Sequence, residues 1–241
     1  MNRDIIIACD FSSTAQTISF LNRFGNERPY VKIGMELFYG EGPDIVREIK
    51  SRGHKIFLDL KLHDIPTTVQ KAMRNLARLG VDMTNVHAAG TIDMMRAARE
   101  GLCEGAQGLV PMLIAVTQLT STSEERMQRE LLISAPIERT VAHYAHNASE
   151  AGLDGVVCSP LEVETVKQAC GAGFYTVTPG IRYPDGDAGD QSRITTPQRA
   201  REMGSDFIVV GRPITKAADP AEAYARVCAD FCGTNVLTKG E

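Results

Sequence analysis

The sequence has no excess of basic residues and no long apolar run, and each absence excludes a class of protein. Lysine and arginine number 26 against 30 aspartates and glutamates, which gives a formal net charge of -4. Proteins that bind nucleic acid or anionic membranes carry a basic face, so we expect neither partner here. No apolar run approaches the roughly 20 residues that a membrane-spanning helix requires. With 43% apolar and 23% charged residues, the chain is typical of a globular protein with a full core.

Export signals and paired cysteines are also lacking. The first residues pass directly into a strand-like run at Ile5, without the apolar segment of a signal peptide. The six cysteines are scattered and form no Cys-x-x-Cys pair of the kind that zinc and redox sites use. An even count permits disulfides, but a chain of 241 residues does not need them for stability. We therefore expect a cytoplasmic protein with reduced thiols.

One unit repeats along the chain: a short apolar run rich in β-branched residues, a polar or glycine-marked end, and a stretch with helical spacing. The eight runs begin at residues 5, 30, 57, 84, 112, 155, 175 and 207. The helical stretches cover 44–50, 69–79, 93–103, 137–151, 161–169, 197–203 and 220–232.

Strict alternation of strand and helix predicts a parallel sheet, and eight units without a break predict closure into a (β/α)8 barrel. A doubly wound open sheet is the alternative, but the Gly-x-Gly-x-x-Gly fingerprint after a first strand is absent. No linker or shift in composition divides the chain. We therefore predict one domain over residues 1–241, belonging to the α/β class as a single TIM barrel.

The third run carries an Asp-x-Lys-x-x-Asp pattern made by Asp59, Lys61 and Asp64. Alternation along the strand separates the leucines at 58, 60 and 62 from Asp59 and Lys61 on the opposite face. Pro66 cannot donate a ladder hydrogen bond, so the strand ends before it and leaves Asp64 in the following loop. Buried charges are costly unless they pair with one another. Taken alone, Asp-x-Lys would indicate a structural ion pair at a solvated strand end.

The other polar residues, however, share the same position in the repeat. Active sites of such barrels lie at the C-terminal ends of the strands. Residues at or just past those ends include Asp10, His87, 117–121, Arg182 and Arg212, and Lys32 lies within the second strand. Their joint placement around one rim predicts an active site in which acidic and basic groups alternate.

The ends of the last two strands predict a phosphate site. Strand seven is followed by Gly180 and Arg182, and strand eight by Gly211 and Arg212. Glycine permits close approach of the backbone, and an arginine fork matches two phosphate oxygens. Barrel phosphate sites commonly form at these two loops. The long connections 118–136 and 182–196 suit lids that close over such a ligand.

With these residues assembled, the chain closely resembles the orotidine 5′-phosphate decarboxylase family, from Ile5 to about residue 231. The motifs that carry the resemblance are 58–68 (LDLKLHDIPTT), 31–36 (VKIGME), 85–90 (NVHAAG), 116–121 (VTQLTS), 178–182 (TPGIR), Asp190-Gln191 and 210–214 (VGRPI). Asp-x-Lys-x-x-Asp alone is shared with sugar-phosphate enzymes of the same barrel group. The Ile-Pro-x-Thr continuation and the Asp-Gln loop narrow the resemblance to the orotidine 5′-phosphate decarboxylase family.

The resemblance implies cofactor-independent and metal-free decarboxylation of orotidine 5′-monophosphate to UMP, the last step of UMP synthesis. It implies that Lys61 protonates C6, that Asp59 lies against the substrate carboxylate, and that Lys32 and Asp64 complete a Lys–Asp–Lys–Asp chain. The resemblance also implies a homodimer in which Asp64, Ile65 and Thr68 enter the partner's site. The remaining expected substrate contacts are Asp10 and Lys32 to the ribose, Thr120 to the pyrimidine, Pro179, Pro66 and Thr67 along the pocket, and Gln191, Gly211, Arg212 and Arg182 to the phosphate.

Two other functions remain possible from the residues. A magnesium-dependent sugar-phosphate decarboxylase or aldolase would use the same carboxylates as metal ligands. A catalytically silent phosphate-binding barrel is the other alternative, but a binding protein has little reason to bury Asp59, Lys61 and Asp64 together. His143 and His146 have no carboxylate partner and are expected at the surface or in packing. His54, His63 and His87 receive no role from the sequence.

Overall fold

The fold is a closed barrel of eight parallel strands, seen in a computed structural model that describes residues 3–184 and 194–233. Each strand pairs with the next along the chain, and β1 pairs with β8 to close the ring. The strands are β1 Asp4–Ala8, β2 Tyr30–Gly34, β3 Ile56–Leu62, β4 Met83–His87, β5 Met112–Val116, β6 Gly155–Val157, β7 Tyr175–Thr178 and β8 Phe207–Val210. The predicted (β/α)8 barrel is confirmed.

Helices connect the strands on the outside of the ring. They are α1 Thr14–Leu21, α2 Met35–Glu41, α3 Asp44–Ser51, α4 Pro66–Ala77, α5 Thr91–Gly105, α6 Glu124–Glu130, α7 Ile137–Glu150, α8 Val163–Cys170, α9 Pro197–Glu202, α10 Arg212–Thr215 and α11 Pro220–Cys232. Short 3-10 helices occupy Asn22–Phe24, Ala88–Gly90 and Pro160–Glu162. All seven predicted helical stretches are present, whereas α1, α2, α6 and α10 were not predicted. Among the described residues, no helix is long and apolar enough to cross a membrane.

The core has two layers, as the alternation of side chains along the strands requires. The leucines at 58 and 60 join the larger layer between strands and helices. Phe57, one residue earlier in β3, belongs to the smaller layer that fills the barrel. The other buried members of this inner layer are Ile6, Ala8, Tyr30, Met83, Ile114, Val177, Phe207 and Val209. The faces predicted for the third strand are therefore confirmed.

The register between β3 and β4 is irregular near the C-terminal end of β3. Leu58 pairs with Thr84, but the next pair joins Leu62 to Val86. Three residues of β3 therefore lie opposite the single residue Asn85 of β4. Within this bulge Lys61 has a φ of 52°, in the left-handed region that side chains other than glycine rarely adopt. The sequence pattern gave no indication of this bulge.

Candidate active site

A cavity of about 180 Å³ opens at the C-terminal end of the barrel, where active sites of this fold lie. Its lining includes five residues that the sequence predicts for the site: Lys32, Asp59, Lys61, Thr120 and Pro179. Gln118 and Leu119, from the predicted range 117–121, line it too, and the lining residues that were not predicted are Phe57, Asn85, Val116, Val157, Cys158 and Val209. The cavity thus has a charged side and a largely apolar side.

Four charged side chains form a continuous array from the rim into the cavity. The ammonium nitrogen of Lys32 lies 2.9 Å from Asp10 Oδ1 and 3.5 Å from Asp59 Oδ2. Lys61 Nζ lies 2.6 Å from the other oxygen of Asp59, Oδ1. Asp59 is therefore shared between two ammonium groups, one on each oxygen. The structure brings Asp10, Lys32, Asp59 and Lys61 together, as the sequence predicts.

The electrostatics of the array keep its buried members charged. Burial opposes the charge on Lys32, but the carboxylates of Asp59 and Asp10 outweigh it and raise the lysine's pKa above its usual value. Burial also opposes the charge on Asp59, and here the ammonium groups of Lys32 and Lys61 prevail and lower the pKa of the carboxyl. Both groups are thus ionised across the neutral range, without help from a ligand.

A glycine and a buried asparagine lie next to the charged array. At Gly34, which ends β2, an added Cβ would lie 3.3 Å from both Asp10 Oδ1 and Lys32 Nζ. Asn85, fully buried in β4, donates from Nδ2 to Asp59 Oδ1 at 2.7 Å and accepts from the Lys61 backbone N–H at 2.8 Å. Asn85 lay inside a motif used for the resemblance, but the sequence assigned it no role because that role depends on the bulge in the neighbouring strand.

Asp64 does not join the array within one chain. Its side chain is exposed and accepts from the backbone N–H of Ile65 at 2.7 Å. Among the described residues it forms no ion pair with Lys61 or any other cation. Ile65 is 66% exposed, and Pro66, Thr67 and Thr68 are exposed as well at the start of α4. The predicted fourth member of the chain of charges is therefore not part of this subunit's own array.

The residues predicted to bind phosphate lie after β7 and β8. Gly211 directly precedes α10, and Arg212 is the first residue of that helix. The backbone N–H of Arg182 donates to the Thr195 carbonyl at 2.9 Å, and Thr195 donates to the Gly180 carbonyl at 3.0 Å. The two ends of the long connection after β7 are thus joined. Gln191, also predicted to contact phosphate, lies outside the described residues.

Arg182 and Arg212 also line a second and larger cavity, of about 630 Å³, next to α11. Tyr183 adjoins it, donating a 2.6 Å hydrogen bond to Asp230 while the guanidinium of Arg226 lies 4.0 Å from its ring centre. This cavity lacks the charged array, so the smaller one is the candidate for the chemistry. The two arginines connect the larger space with the predicted phosphate-binding loops.

Thr120 and three histidines lie in or near the barrel at positions that the sequence singled out. Thr120 is buried and follows β5, although the connection 118–136 also contains the unpredicted helix α6. The rings of His63 and His87 lie 5.8 Å apart near the rim, and burial lowers the pKa of His87, with the charges of His63 and Lys61 adding to the effect. His54 is buried, with its ring nitrogen 2.9 Å from the Pro29 carbonyl, as expected of a structural histidine.

Comparison with known proteins gives consistent results over nearly the whole chain. A family model for the orotidine 5′-phosphate decarboxylase / HUMPS family matches residues 3–227. An orotidine 5′-phosphate decarboxylase from Bacillus cereus (strain Q1) is 57% identical over 238 residues, covering 98% of this chain and 100% of the relative. The enzyme of that name from Enterococcus faecalis is 58% identical over 229 residues, covering 94% and 97% of the two chains.

Solved structures agree with the sequence relatives. The crystal structure of orotidine 5′-phosphate decarboxylase from Lactobacillus acidophilus superimposes with a TM-score of 0.87 at 42% identity, covering 95% of this chain and 99% of that one. An uncharacterized conserved protein from Geobacillus kaustophilus gives a TM-score of 0.85 at 50% identity, covering 94% and 99% of the two chains. On the strength of the barrel, its charged array and these matches, the chain belongs to the orotidine 5′-phosphate decarboxylase / HUMPS family.

Proposed function

We propose that this protein decarboxylates orotidine 5′-monophosphate to UMP and CO2, the last step of de novo UMP synthesis, and that it needs neither metal nor cofactor. The observation that carries the proposal is the array of Asp10, Lys32, Asp59 and Lys61 at one side of a cavity on the catalytic rim of the barrel. Relatives that are 56–58% identical over nearly the full chain bear the name of this enzyme.

The chemistry needs a stabilised negative charge at C6 of the pyrimidine. Loss of CO2 leaves an in-plane lone pair at C6 that the π system of the ring cannot delocalise. A preorganised cation beside C6 stabilises that charge without having to reorient during the reaction. We assign this role to Lys61, whose ammonium then supplies the proton that replaces CO2. Asp59, 2.6 Å from Lys61 Nζ, holds the ammonium in place and faces the substrate carboxylate.

The rest of the array would bind the sugar and the base. Asp10 and Lys32, joined at 2.9 Å nearer the rim, suit the ribose hydroxyls because together they offer an acceptor and a donor. Thr120 and Pro179 line the cavity and would contact the pyrimidine. One electrostatic group is worth only about 2.7–4 kcal/mol, so binding energy from the rest of the substrate must also contribute.

We assign the phosphate to Gly211 and Arg212, with Arg182 and Gln191 from the connection after β7. The backbone of Gly211 allows close approach of the anion, and the guanidinium forks can each donate two hydrogen bonds. Phosphate held there would anchor the end of the substrate remote from C6. Binding energy gained at this remote group can favour closure around the reacting ring.

We further propose a homodimer with shared sites. Asp64 is exposed and unpaired with the described cations of its own chain, and Ile65, Tyr39 and Met35 beside the same rim are 66%, 68% and 45% exposed. Contiguous apolar surface marks interaction sites, and we propose that these three side chains belong to such a surface. In the dimer, Asp64, Ile65 and Thr68 would enter the partner's site, with Pro66 and Thr67 in the same segment. We place the protein in the cytoplasm, as a single domain over residues 1–241.

The magnesium-dependent sugar-phosphate enzyme is the less favoured function. The array of alternating charges already pairs Asp59 with two ammonium groups, which compete with a metal ion for its oxygens. Among the described residues, no group of three or more histidine, cysteine, aspartate or glutamate side chains is arranged to hold a metal ion. The relatives cited above carry the name of the decarboxylase.

The decisive assay follows the fall in ultraviolet absorbance as orotidine 5′-monophosphate is consumed, with excess EDTA, for wild type and Lys61→Ala. We expect rapid conversion by the wild type, and loss of nearly all turnover in Lys61→Ala with the fold retained by circular dichroism. Lys55→Ala, which removes an exposed lysine at the opposite end of β3, is the matched control and should retain activity. Activity only on a sugar phosphate with added Mg²⁺ would support the alternative enzyme instead.

A further inference from the structure

The bulge that carries Lys61 has a second support besides the ion pair with Asp59. Three residues, Asp59 to Lys61, lie opposite Asn85 alone, and the backbone at Lys61 is left-handed with a φ of 52°. A residue in that conformation needs fixed contacts to hold it there. The Lys61 N–H is turned out of the regular ladder, and its hydrogen bond goes to a side chain, Asn85 Oδ1, at 2.8 Å.

Asn85 joins the two charged ends of the bulge through one rigid amide. Its oxygen must face the Lys61 backbone N–H, which can only donate, so its NH2 group faces Asp59 and donates at 2.7 Å. The amide orientation is thus determined by chemistry. Asp59 Oδ1 receives both this hydrogen bond and that of Lys61 Nζ, at 2.6 Å. Asn85 is 0% exposed and lines the cavity, so neither bond competes with bulk water.

We propose that Asn85 is a positioning residue for the decarboxylation, setting the distance and orientation of Asp59 and Lys61 before substrate binds. The inference rests on the proposed function, since it concerns how the same site is prepared. Its hydrogen bond to Asp59 leaves that carboxylate one orientation, and its bond to the Lys61 N–H holds the backbone from which the lysine extends. The ammonium therefore has little reorganisation left to make when charge develops at C6.

A neighbouring residue provides a matched control. Thr84, also 0% exposed, donates from Oγ1 to the Leu58 carbonyl at 3.0 Å, so it too joins β4 to β3 by a side-chain hydrogen bond. It does not line the cavity and touches none of the charged array. Thr84→Val removes one interstrand hydrogen bond of similar burial, and any effect of Asn85 on strand pairing alone should be matched by this variant.

The first comparison is the kcat and KM of wild type, Thr84→Val and Asn85→Leu. We expect kcat of Asn85→Leu to fall about 100-fold, the scale of a small misplacement of a catalytic group, with KM changed far less. Thr84→Val should keep a kcat close to that of the wild type. Equal kcat values for Asn85→Leu and Thr84→Val would overturn the inference. An inactive wild type would instead overturn the proposed function, and this inference with it.

The second comparison uses Asn85→Asp and remains decisive if Asn85→Leu fails to fold. The new carboxyl group keeps an acceptor for the Lys61 N–H but, when ionised, faces Asp59 with a like charge. Such pairs raise the pKa of one member, and the protonated form can again donate to Asp59. We expect the kcat of Asn85→Asp, relative to wild type, to rise as the pH is lowered from about 8 to 6. A profile parallel to that of the wild type would show that the two hydrogen bonds do not govern catalysis.

Discussion

At the scale of single residues, Lys61 and Arg212 use positive charge in different surroundings. The side chain of Lys61 is only 24% exposed and lies against Asp59, so its ammonium is held by a partner within the protein. Arg212 is half-buried at the start of a four-residue helix, beside the glycine that follows β8. In the proposed reaction the first cation acts on the reacting carbon, and the second acts only on the remote phosphate.

Arg212→Ala should therefore weaken use of the substrate through its phosphate alone. Charge-assisted hydrogen bonds contribute about 1.5–3 kcal/mol, so we expect kcat/KM for orotidine 5′-monophosphate to fall roughly 10- to 150-fold. Lys216→Ala, which removes an exposed cation lining the same large cavity, is the control and should have a much smaller effect. The assay is repeated with orotidine, which has no phosphate. Equal losses on both substrates would remove Arg212 from the phosphate site.

What the sequence revealed at this scale, and what it did not, has a physical basis. Asp10, Lys32, Asp59 and Lys61 were predicted as neighbours because the ends of parallel strands meet at one rim. Asn85 received no role because its two hydrogen bonds depend on a bulge in β3, which no residue pattern in the chain indicates. Asp64 was assigned to the same set of charges, but within the described chain it forms no ion pair with Lys61, and its entry into a partner's site stays a prediction.

At the scale of elements, every strand and every helix longer than eight residues was predicted, and the helices that were missed are all short. Strand signals repeat at each unit, and helices such as α7, with 14 residues, contain enough turns to display the 3.6-residue period. The helices that were missed have four to eight residues. So few turns show little periodicity. Isolated helices of that length are unstable, and packing against the barrel determines where they form.

Three aspartates at the opposite end of the barrel form a repeated structural contact. Asp82, Asp154 and Asp206 each precede an even-numbered strand, β4, β6 and β8. Each accepts a backbone N–H from the preceding odd strand, at 2.7, 2.7 and 2.8 Å. Each also pairs with a cation on a helix that precedes this odd strand; the three cations are Lys50, Arg99 and Lys167. These contacts tie helix to sheet at the end of the barrel that serves stability.

Asp206→Asn should destabilise the protein most, because its side chain is only 7% exposed and its partner Lys167 is 20% exposed. Breaking a buried pair by removing one charge costs about 3–5 kcal/mol. The same change at Asp82, whose side chain is 34% exposed, should lower the free energy of unfolding by less. Urea unfolding measures the free energy, with Asp44→Asn as control, because that residue is 87% exposed and an exposed pair contributes up to about 1 kcal/mol. An equal loss for Asp206→Asn and Asp44→Asn would contradict this reasoning.

At the scale of the whole molecule, the position of Asp64 bears on whether each active site is built from one chain or from two. The array within one chain ends at Lys61, while Asp64 and Ile65 are exposed just before α4. A two-fold dimer would bring this segment of each chain to the other by symmetry, because both partners use the same surface. A site of this kind contains Lys61 from one chain and Asp64 from its partner, which makes the proposed dimer testable by mixing inactive variants.

Lys61→Ala and Asp64→Ala should each be inactive alone but partly active when mixed. In a mixed dimer, one site carries both substitutions and the other carries neither, so random mixing should restore about one quarter of the wild-type sites. The control mixes Lys61→Ala with Asp59→Ala. Because both of those residues belong to the same chain's part of the site, neither site of that mixed dimer is intact, and we expect no recovery. Sedimentation establishes the dimer and mass spectrometry of differently tagged chains establishes the exchange. Confirmed mixed dimers of Lys61→Ala and Asp64→Ala without activity would place Asp64 outside the partner's site.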